Sequence, residues 1–573
     1  MLRMVPRPDI LRRFPFGIAD VAVILGALVA LIAIARVGAG AFVPFNEKLV
    51  PHVDLNPRNL PYYAARSTLR MFVALSWSFA FTFVYGYAAA RSRRLERVLI
   101  PLLDILQSVP VLGFLSVIIT GFIALFPGSL LGLEFAAIFA IFTSQAWNMA
   151  FSFYQSLRTI PNEMQEASRL YRLSGWQRFV DVEVPASMIP LVWNAMMSFG
   201  GGWFFLAASE AISVLNHNYT LPGVGSYVAA AVQAQNLPAL GWAVLTIAIV
   251  IVVIDQLFWR PLVAWADKFR IEQSASAAPP QSWVYDILRT SQLPELIGRA
   301  WDPVAGVFST ALSRLTRPRE AFVEEPREGS ELWFNVLLIA VVAALAIYLI
   351  HFVLTTVGLG EVAKVFLLGL ATMARVVVLL VFATVVWTPV GVAIGFNPRL
   401  ARFMQPVVQF LASFPANFVF PFATMWFLRY NIPINWGSIL LMALGAQWYI
   451  LFNTIAGAQS IPNELREMAS DCDAKGWLRW RRLIIPGIFS SWVTGAITAS
   501  GGAWNASIVS EIVSWGSSTL TAFGLGTYIT EATNKGDWPR IALGVCVMSL
   551  YVVTINRLVW RNLYRYAARR FSL

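Results

Sequence analysis

Twelve stretches of this chain are each long and apolar enough to cross the hydrocarbon core of a bilayer, and nothing else in the sequence limits its fold as strongly. A crossing helix needs about 20 residues. In lipid every backbone N–H and C=O must be satisfied within the segment, so each run reads as a helix. The runs lie roughly at 17–39, 68–90, 99–125, 132–154, 187–213 and 238–261, then at 332–357, 368–396, 404–428, 435–458, 487–513 and 538–560. Composition agrees, with 58% hydrophobic and only 13% charged residues, about half the charged share of an ordinary soluble domain. The net charge of +12 gathers in short clusters between apolar runs. That pattern orients membrane proteins and argues against a nucleic-acid partner.

The clusters set the sidedness. Arg3, Arg7, Arg12 and Arg13 precede the first run, Arg91, Arg93, Arg94 and Arg97 follow the second, and Arg561, Arg565, Arg569 and Arg570 follow the last. The loops at 126–131 and 214–237 contain no Lys or Arg. The bias predicts both termini in the cytoplasm. The first apolar run lacks a small-residue cleavage signal and is read as a retained span. Two cysteines, Cys472 and Cys546, offer no disulfide framework.

Six runs and six runs reflect a repeat. "IPNEMQEASRLYRLSGWQRFVDVEVP" (160–185) returns as "IPNELREMASDCDAKGWLRWRRLIIP" (461–486), with 9 of 26 positions identical at an offset of 301. "GGGWFFLAASEAIS" (200–213) pairs with "GGAWNASIVSEIVS" (501–514), and "GVGSY" (223–227) with "GLGTY" (524–528). Upstream the offset is 305, pairing Arg70 with Arg375, Pro101 with Pro406 and Pro110 with Pro415. The expected fold is an all-α integral membrane protein of about 12 spans in two parallel six-helix repeats, at 1–263 and 332–573. Parallel repeats place a pathway at the interface between the halves. The connector, 264–331, includes the flexible "SASAAPPQS" and "PVAGVFSTALSRLTR" (303–317), whose Val304, Val307, Phe308 and Leu315 share a face. An interfacial membrane helix and a plain spacer both fit, and the spacer is the simpler reading.

The repeated polar stretch falls between spans four and five of each half. Ile-Pro-Asn-Glu suits a helix start. A short helix, a turn at Gly175 or Gly476, a second short helix opening at Trp176 or Trp477, and Pro185 or Pro486 at the foot of the next span follow. These residues resemble the membrane subunits of binding-protein-dependent ATP-binding-cassette importers. Glu166-Ala167-Ser168 stands 19 residues before Pro185, and Glu467-Met468-Ala469 stands 19 before Pro486, which is the family's spacing. The family's usual glycine position holds Arg172 and Asp473 instead.

The resemblance implies a type I importer permease fold and a coupling role for Glu166, Ala167, Gly175, Trp176 and Pro185, and for Glu467, Ala469, Gly476, Trp477 and Pro486. It implies two separate cytoplasmic ATPase subunits that carry ATP and Mg, no cofactor on this chain, a periplasmic substrate-binding protein, and the bacterial inner membrane. No glycine here is followed by lysine, so the phosphate loop is absent and the chain is read as a permease, not an enzyme.

The pathway residues expected in span five are Gly201, Trp203, Ser209 and Glu210, with Gly502, Trp504, Ser510 and Glu511. A carboxylate at membrane depth costs roughly 2.5–3.5 kcal/mol on insertion scales and usually faces a cavity or partner. Arg70 and Arg375, near the outer ends of the second spans, are candidate partners for Glu210 and Glu511. Ser-Glu followed by Gly-x-Gly is most similar to the group handling nitrate, sulfonates, taurine and bicarbonate, so a small oxyanion is the expected cargo. The alternatives are a metal or metal-chelate transporter without a binding protein, and an ion-coupled carrier. His52, His217 and His351 lack ligand spacing, and the carrier leaves the paired loops unexplained.

Overall fold

A computed structural model describes residues 17–40, 53–108, 115–214, 217–269, 282–316 and 328–570. Arg3, Arg7, Arg12, Arg13, His52, Pro110 and nearly all of the "SASAAPPQS" stretch lie outside the described residues. The first half comprises α1 (Ile18–Ala39), α2 (Leu60–Arg91), α3 (Arg93–Ser108), α4 (Leu115–Leu125), α5 (Leu131–Arg158), α6 (Asn162–Leu170), α7 (Gly175–Arg178) and α8 (Val184–Glu210). A hairpin, β1 (Ala211–Val214) and β2 (His217–Thr220), leads into α9 (Val224–Gln233), α10 (Leu237–Ile254) and α11 (Arg260–Ala266). The connector holds α12 (Trp283–Thr290) and α13 (Leu293–Leu315).

The second half repeats the order. It comprises α14 (Glu328–Thr356), α15 (Leu359–Phe396), α16 (Pro398–Ser413), α17 (Phe420–Tyr430), α18 (Ile434–Gln459), α19 (Asn463–Asp471), α20 (Gly476–Arg479) and α21 (Ile485–Ser510). The hairpin β3 (Ile512–Trp515) and β4 (Ser518–Thr521), then α22 (Leu525–Lys535), α23 (Trp538–Ile555) and α24 (Arg561–Arg570), complete it. In register, Ala211 faces Thr220 and Ile512 faces Thr521.

Among the described residues nine helices are long and apolar enough to cross alone. α5, with 28 residues, is a tenth crossing, less apolar because it carries Glu134, Gln145, Asn148 and Gln155. The other two differ from the expected single spans at 99–125 and 404–428: the second is made of two pieces, α16 and α17, and in the first α3 and α4 stand on either side of 109–114, which lie outside the described residues. α3 runs beside the C-terminal ends of α2 and α5, where Leu99 O accepts from Tyr85 and Glu96 from Tyr154. α4 packs Phe122 against Phe135 and Phe139 near the N-terminal end of α5. In the second half the break has a visible cause. Phe414 precedes Pro415 and is extended (ψ 126°), the conformation that a following proline imposes.

Helix starts and irregularities recur at the same offset. Asn236 caps α10 by accepting from Ala239 N at 3.1 Å, and Asp537 caps α23 by accepting from Arg540 N at 3.2 Å. A widened turn precedes α8 at Phe179–Glu183 and α21 at Trp480–Ile484. Others follow α10 and α23 at Asp255–Trp259 and Asn556–Trp560. The helix of span six continues through a short turn to Phe269, beyond the expected boundary at 263. The halves also share cores. Leu115, Ile119, Leu133 and Ala140 of the first half pack in one cluster with Val376, Leu379, Ala503 and Trp504 of the second. Phe418 packs into the core of the first.

Candidate functional site

Each repeated polar stretch folds as a short helix, a reversal and a one-turn helix that runs through its widened turn into a central span. Ile160 and Ile461 anchor the stretches and are buried. The reversal is a paired bond in both copies. In the first, Leu173 N donates to Ser168 O at 3.1 Å and Arg172 N to Arg169 O at 3.0 Å. In the second, Ala474 N donates to Ala469 O at 2.9 Å and Asp473 N to Ser470 O at 3.0 Å. That pairing ends a helix through one left-handed residue, ordinarily glycine. Here it is Arg172 (φ 48°) and Asp473 (φ 51°), so the usual glycine geometry is kept without the glycine.

The turn is therefore not at Gly175, which is the first residue of α7 and has ordinary backbone. Gly476 alone is left-handed, at φ 53°. Ser174 and Gln177 cap α7 reciprocally, at 3.2 and 2.9 Å. Lys475 offers α20 no side-chain cap.

Glu166 and Glu467 are exposed, Ala167 and Ala469 half-buried, and Pro185 and Pro486 sit in the first turns of α8 and α21. Trp176 lies half-buried against Phe179, with ring centroids 5.8 Å apart, whereas Trp477 is 71% exposed. The most exposed apolar groups of the first stretch, Leu170 (82%) and Tyr171 (80%), were not picked out from sequence. Their counterparts at offset 301 are Asp471 and Cys472. The bases also differ. Glu183 accepts from Arg91 at 2.6 Å and pairs with Arg178 at 3.0 Å. In the second half Arg466 and Arg479 instead lie over the Phe396 ring, 4.5 and 5.4 Å from its centroid.

At the opposite ends of α8 and α21 the two glutamates find the expected arginines. Glu210 pairs with Arg70 at 2.6 Å and Glu511 with Arg375 at 2.7 Å, both carboxylates fully buried. Ser67 Oγ donates to Glu210 at 2.6 Å and Thr372 Oγ1 to Glu511 at 2.8 Å. Gly225 N and Gly526 N donate to the second carboxylate oxygens at 2.7 and 2.8 Å. Each anion thus sits at a helix N-terminus, where the dipole favours it. A Cβ on Gly223 or Gly524 would lie 2.3 or 2.2 Å from the carboxyl group, which explains "GVGSY" and "GLGTY". Both glutamates hold α9 or α22 to span two, and neither faces an open cavity.

The first cluster is larger. Glu134 also pairs with Arg66, and receives Arg70 Nε and Nη2 at 2.6 and 2.7 Å. At the matching place Asn435 receives Arg375, with Nη2 to Oδ1 2.8 Å and Nε to the carbonyl 3.1 Å, and Ala371 stands for Arg66. One arginine and one glutamate are absent together, so both clusters are neutral.

The glycines of α8 and α21 mark the seam between the halves. A Cβ on Gly200 would meet Ser413 Oγ at 2.6 Å, and Asn417 Nδ2 donates to Phe204 O at 3.2 Å. Tyr449 fills the space between the glycines of the two helices: its hydroxyl is 3.3 Å from a Cβ on Gly201, and its ring 3.5 Å from one on Gly502. The first half has Asn148 at that position, and sequence reasoning missed the tyrosine. A cavity of about 280 Å³ lies on the seam, lined by Phe199, Gly200, Trp203, Asp255, Gln409 and Ser413. Trp504 is in the core, stacked on Tyr551 with ring planes 18° apart. Ser209 is buried and donates to Leu206 O at 3.0 Å, and Ser510 is also buried.

Fold and site define a duplicated, multi-pass membrane protein with one helical loop per half. Residues 82–258 and again 387–572 match the family described as the binding-protein-dependent transport system inner membrane component, and the chain belongs to that family. SsuC of Bacillus subtilis (strain 168), whose name describes an aliphatic sulfonates transport permease, is 27% identical over 184 residues, 30% of this chain and 63% of that one. NrtB of Leptolyngbya laminosa, named a nitrate import permease, is 25% identical over 189 residues, 33% of this chain and 64% of its own. CmpB of Synechococcus elongatus, named a bicarbonate transport system permease, is 26% identical over 190 residues, covering 33% and 65%. The chain spans a little under two thirds of the length of each.

Proposed function

We propose that the chain is the membrane part of an ATP-driven importer of a small oxyanion in a bacterial inner membrane, served by a periplasmic binding protein. Two ATPases dock on α6–α7 and α19–α20 and hold ATP and Mg. The observation carrying this reading is that each exposed loop continues without a break into α8 or α21. Glu183 pairs with Arg91, so the loops share a face with the arginine-rich turn, which supports a cytoplasmic location for loops and termini. The names of the relatives supply the cargo class, with sulfonate, nitrate and bicarbonate as candidates.

A push on a loop tilts α8 or α21 at its foot, and the tops are held by the buried Glu–Arg pairs. Movement is therefore taken up between, at the glycines around Tyr449, and parting α8 from α21 withdraws the tyrosine from the pathway. The test is purification from native membranes in mild detergent, with copurifying proteins identified by mass spectrometry. Nitrate, sulfonate and bicarbonate are then offered as stimulants of ATP hydrolysis. A stoichiometric ATPase stimulated by one of them supports the reading. A stable, monodisperse preparation with no ATPase would refute it and favour an ion-coupled carrier.

A further inference from the structure

The connector helix α13 has an apolar face that no part of the described structure covers. Ile297, Trp301, Val304, Val307 and Phe308 are each more than half exposed, and they recur at the spacing of one helical face. Glu295, Arg299 and Asp302 lie on the other side. A methyl group placed on Gly298 or Gly306 would meet nothing within 4 Å, so the helix is bare along its middle.

Its ends, by contrast, are tied. At the start, Gln292 N donates to Asp20 Oδ1 at 2.6 Å and Ser291 Oγ to the same oxygen at 2.7 Å. Asp20 opens the first span. At the finish, Thr316 O accepts from Gly175 N at 3.0 Å and Thr316 Oγ1 accepts from Trp176 N at 3.0 Å. Those two amides begin the one-turn helix at the foot of α8. Following the crossings from α1 through α5, residues 20 and 175 lie on the same face of the membrane. A 23-residue helix, about 34 Å long, pinned at both ends to one face, runs along that face.

We propose that α13 lies in the headgroup boundary of the leaflet on the loop side, apolar face in lipid, and straps the first coupling loop to the membrane. Lipid is the occupant because both tethers hold the helix at the membrane boundary, one where the first span opens and the other at the foot of α8. An amphipathic helix with Trp and Phe on its apolar side and charged residues, here Glu295, Arg299 and Asp302, on the other suits that position. The strap is specific to one half. Among the described residues no connector reaches α20, whose Gly476 has open space around it and whose Trp477 is exposed. The two loops therefore meet their partners with different freedom. This consequence rests on the coupling role proposed above, whereas the lipid contact does not.

The test uses the full chain without Cys472 and Cys546, in nanodiscs of phosphatidylcholine and phosphatidylglycerol, with a bimane label at Val304→Cys or Asp302→Cys. These positions lie about 160° apart around the helix. Lipid-borne doxyl groups are expected to quench the label at 304 at least threefold more than that at 302, with aqueous iodide showing the reverse order. Equal iodide quenching at both positions overturns the proposal. So does protection at 304 that appears only when an ATPase is added, which would make the face a protein contact. With Ile297→Ser, Trp301→Ser and Phe308→Ser combined, amide exchange over 172–178 should rise about tenfold while that over 473–479 stays unchanged. If lipid quenching occurs but exchange at 172–178 does not respond, the strap is refuted and the coupling role is untouched.

Discussion

Transplanting the second half's buried charge arrangement into the first tests whether the two clusters are built on neutrality. Glu134→Asn alone leaves Arg66 and Arg70 buried beside one carboxylate, Glu210. Removing one partner of a buried ion pair costs about 3–5 kcal/mol, because it strands a charge away from water. Arg66→Ala alone strands negative charge instead, since Glu134 keeps Arg70 at 2.6 Å but loses its second cation. The double variant contains one arginine, one glutamate and one asparagine, the set formed by Arg375, Glu511 and Asn435. Its residual loss should be about 1 kcal/mol, the net worth of a hydrogen bond. The two single losses then sum to at least about 6 kcal/mol against about 1 for the double, so the expected coupling is about 5 kcal/mol or more, above the range of about 0.5–3 kcal/mol usual for residues in one network. Unfolding of the purified chain in mixed micelles, titrated with SDS and followed by circular dichroism, measures all four corners of the cycle. If the two single losses add within about 0.5 kcal/mol, neutrality is not what links the positions.

Four further outcomes follow from the same geometry. Arg172→Gly and Asp473→Gly should each stabilise their loop by about 1 kcal/mol, the cost of a left-handed non-glycine residue, seen as slower amide exchange in the loop; faster exchange would contradict the reversal described. Gly524→Ala should destabilise the chain by about 3 kcal/mol or more, because the carboxylate displaced by the new methyl loses charged hydrogen bonds; a melting temperature equal to wild type would show that Glu511 can move freely. Tyr449→Ala should leak anions from loaded liposomes without ATP while Tyr449→Phe stays tight, and a tight alanine variant would remove the tyrosine from the pathway. Glu166→Ala with Glu467→Ala, and separately Leu170→Ser with Tyr171→Ser, should weaken ATPase binding at least tenfold with membrane insertion intact; full transport in either would sink the docking role.

Much of this was legible in the sequence because lipid leaves few choices. A run that must satisfy its own backbone becomes a helix, and the limits of α1, α5 and α18 fall within a few residues of the apolar runs. The Glu210–Arg70 and Glu511–Arg375 pairs were foreseeable because a carboxylate at depth needs a partner and each half holds an arginine at the outer end of span two. The broken third crossing was not, because hydropathy continues through Phe414-Pro415 while backbone geometry does not. The reversal at Arg172 and Asp473 was marked only by the family's glycine position, since residue type alone points to Gly175 and Gly476, and a left-handed arginine has no signature in sequence. Tyr449 escaped because its role depends on glycines of two distant helices meeting at one side chain.

Fusion of the halves makes their differences intelligible. In an assembly of two identical subunits every substitution appears twice, so Arg66 and Glu134 could not be exchanged for Ala371 and Asn435 on one side only. A tyrosine on the axis would meet its own copy, and two rings cannot occupy the space that Tyr449 takes between Gly201 and Gly502. A single chain removes that constraint: one half supplies the tyrosine, and the other supplies Asn148 at the matching position. The same freedom runs through the loops, where Leu170-Tyr171 faces Asp471-Cys472, an ion pair at Glu183 faces a cation over Phe396, and Thr316 ties α7 alone. What both halves keep is the continuous path from loop to central helix and the buried pair at its far end. Under the coupling proposed above, those are the parts that would transmit a displacement, and the parts that differ are the ones it would meet.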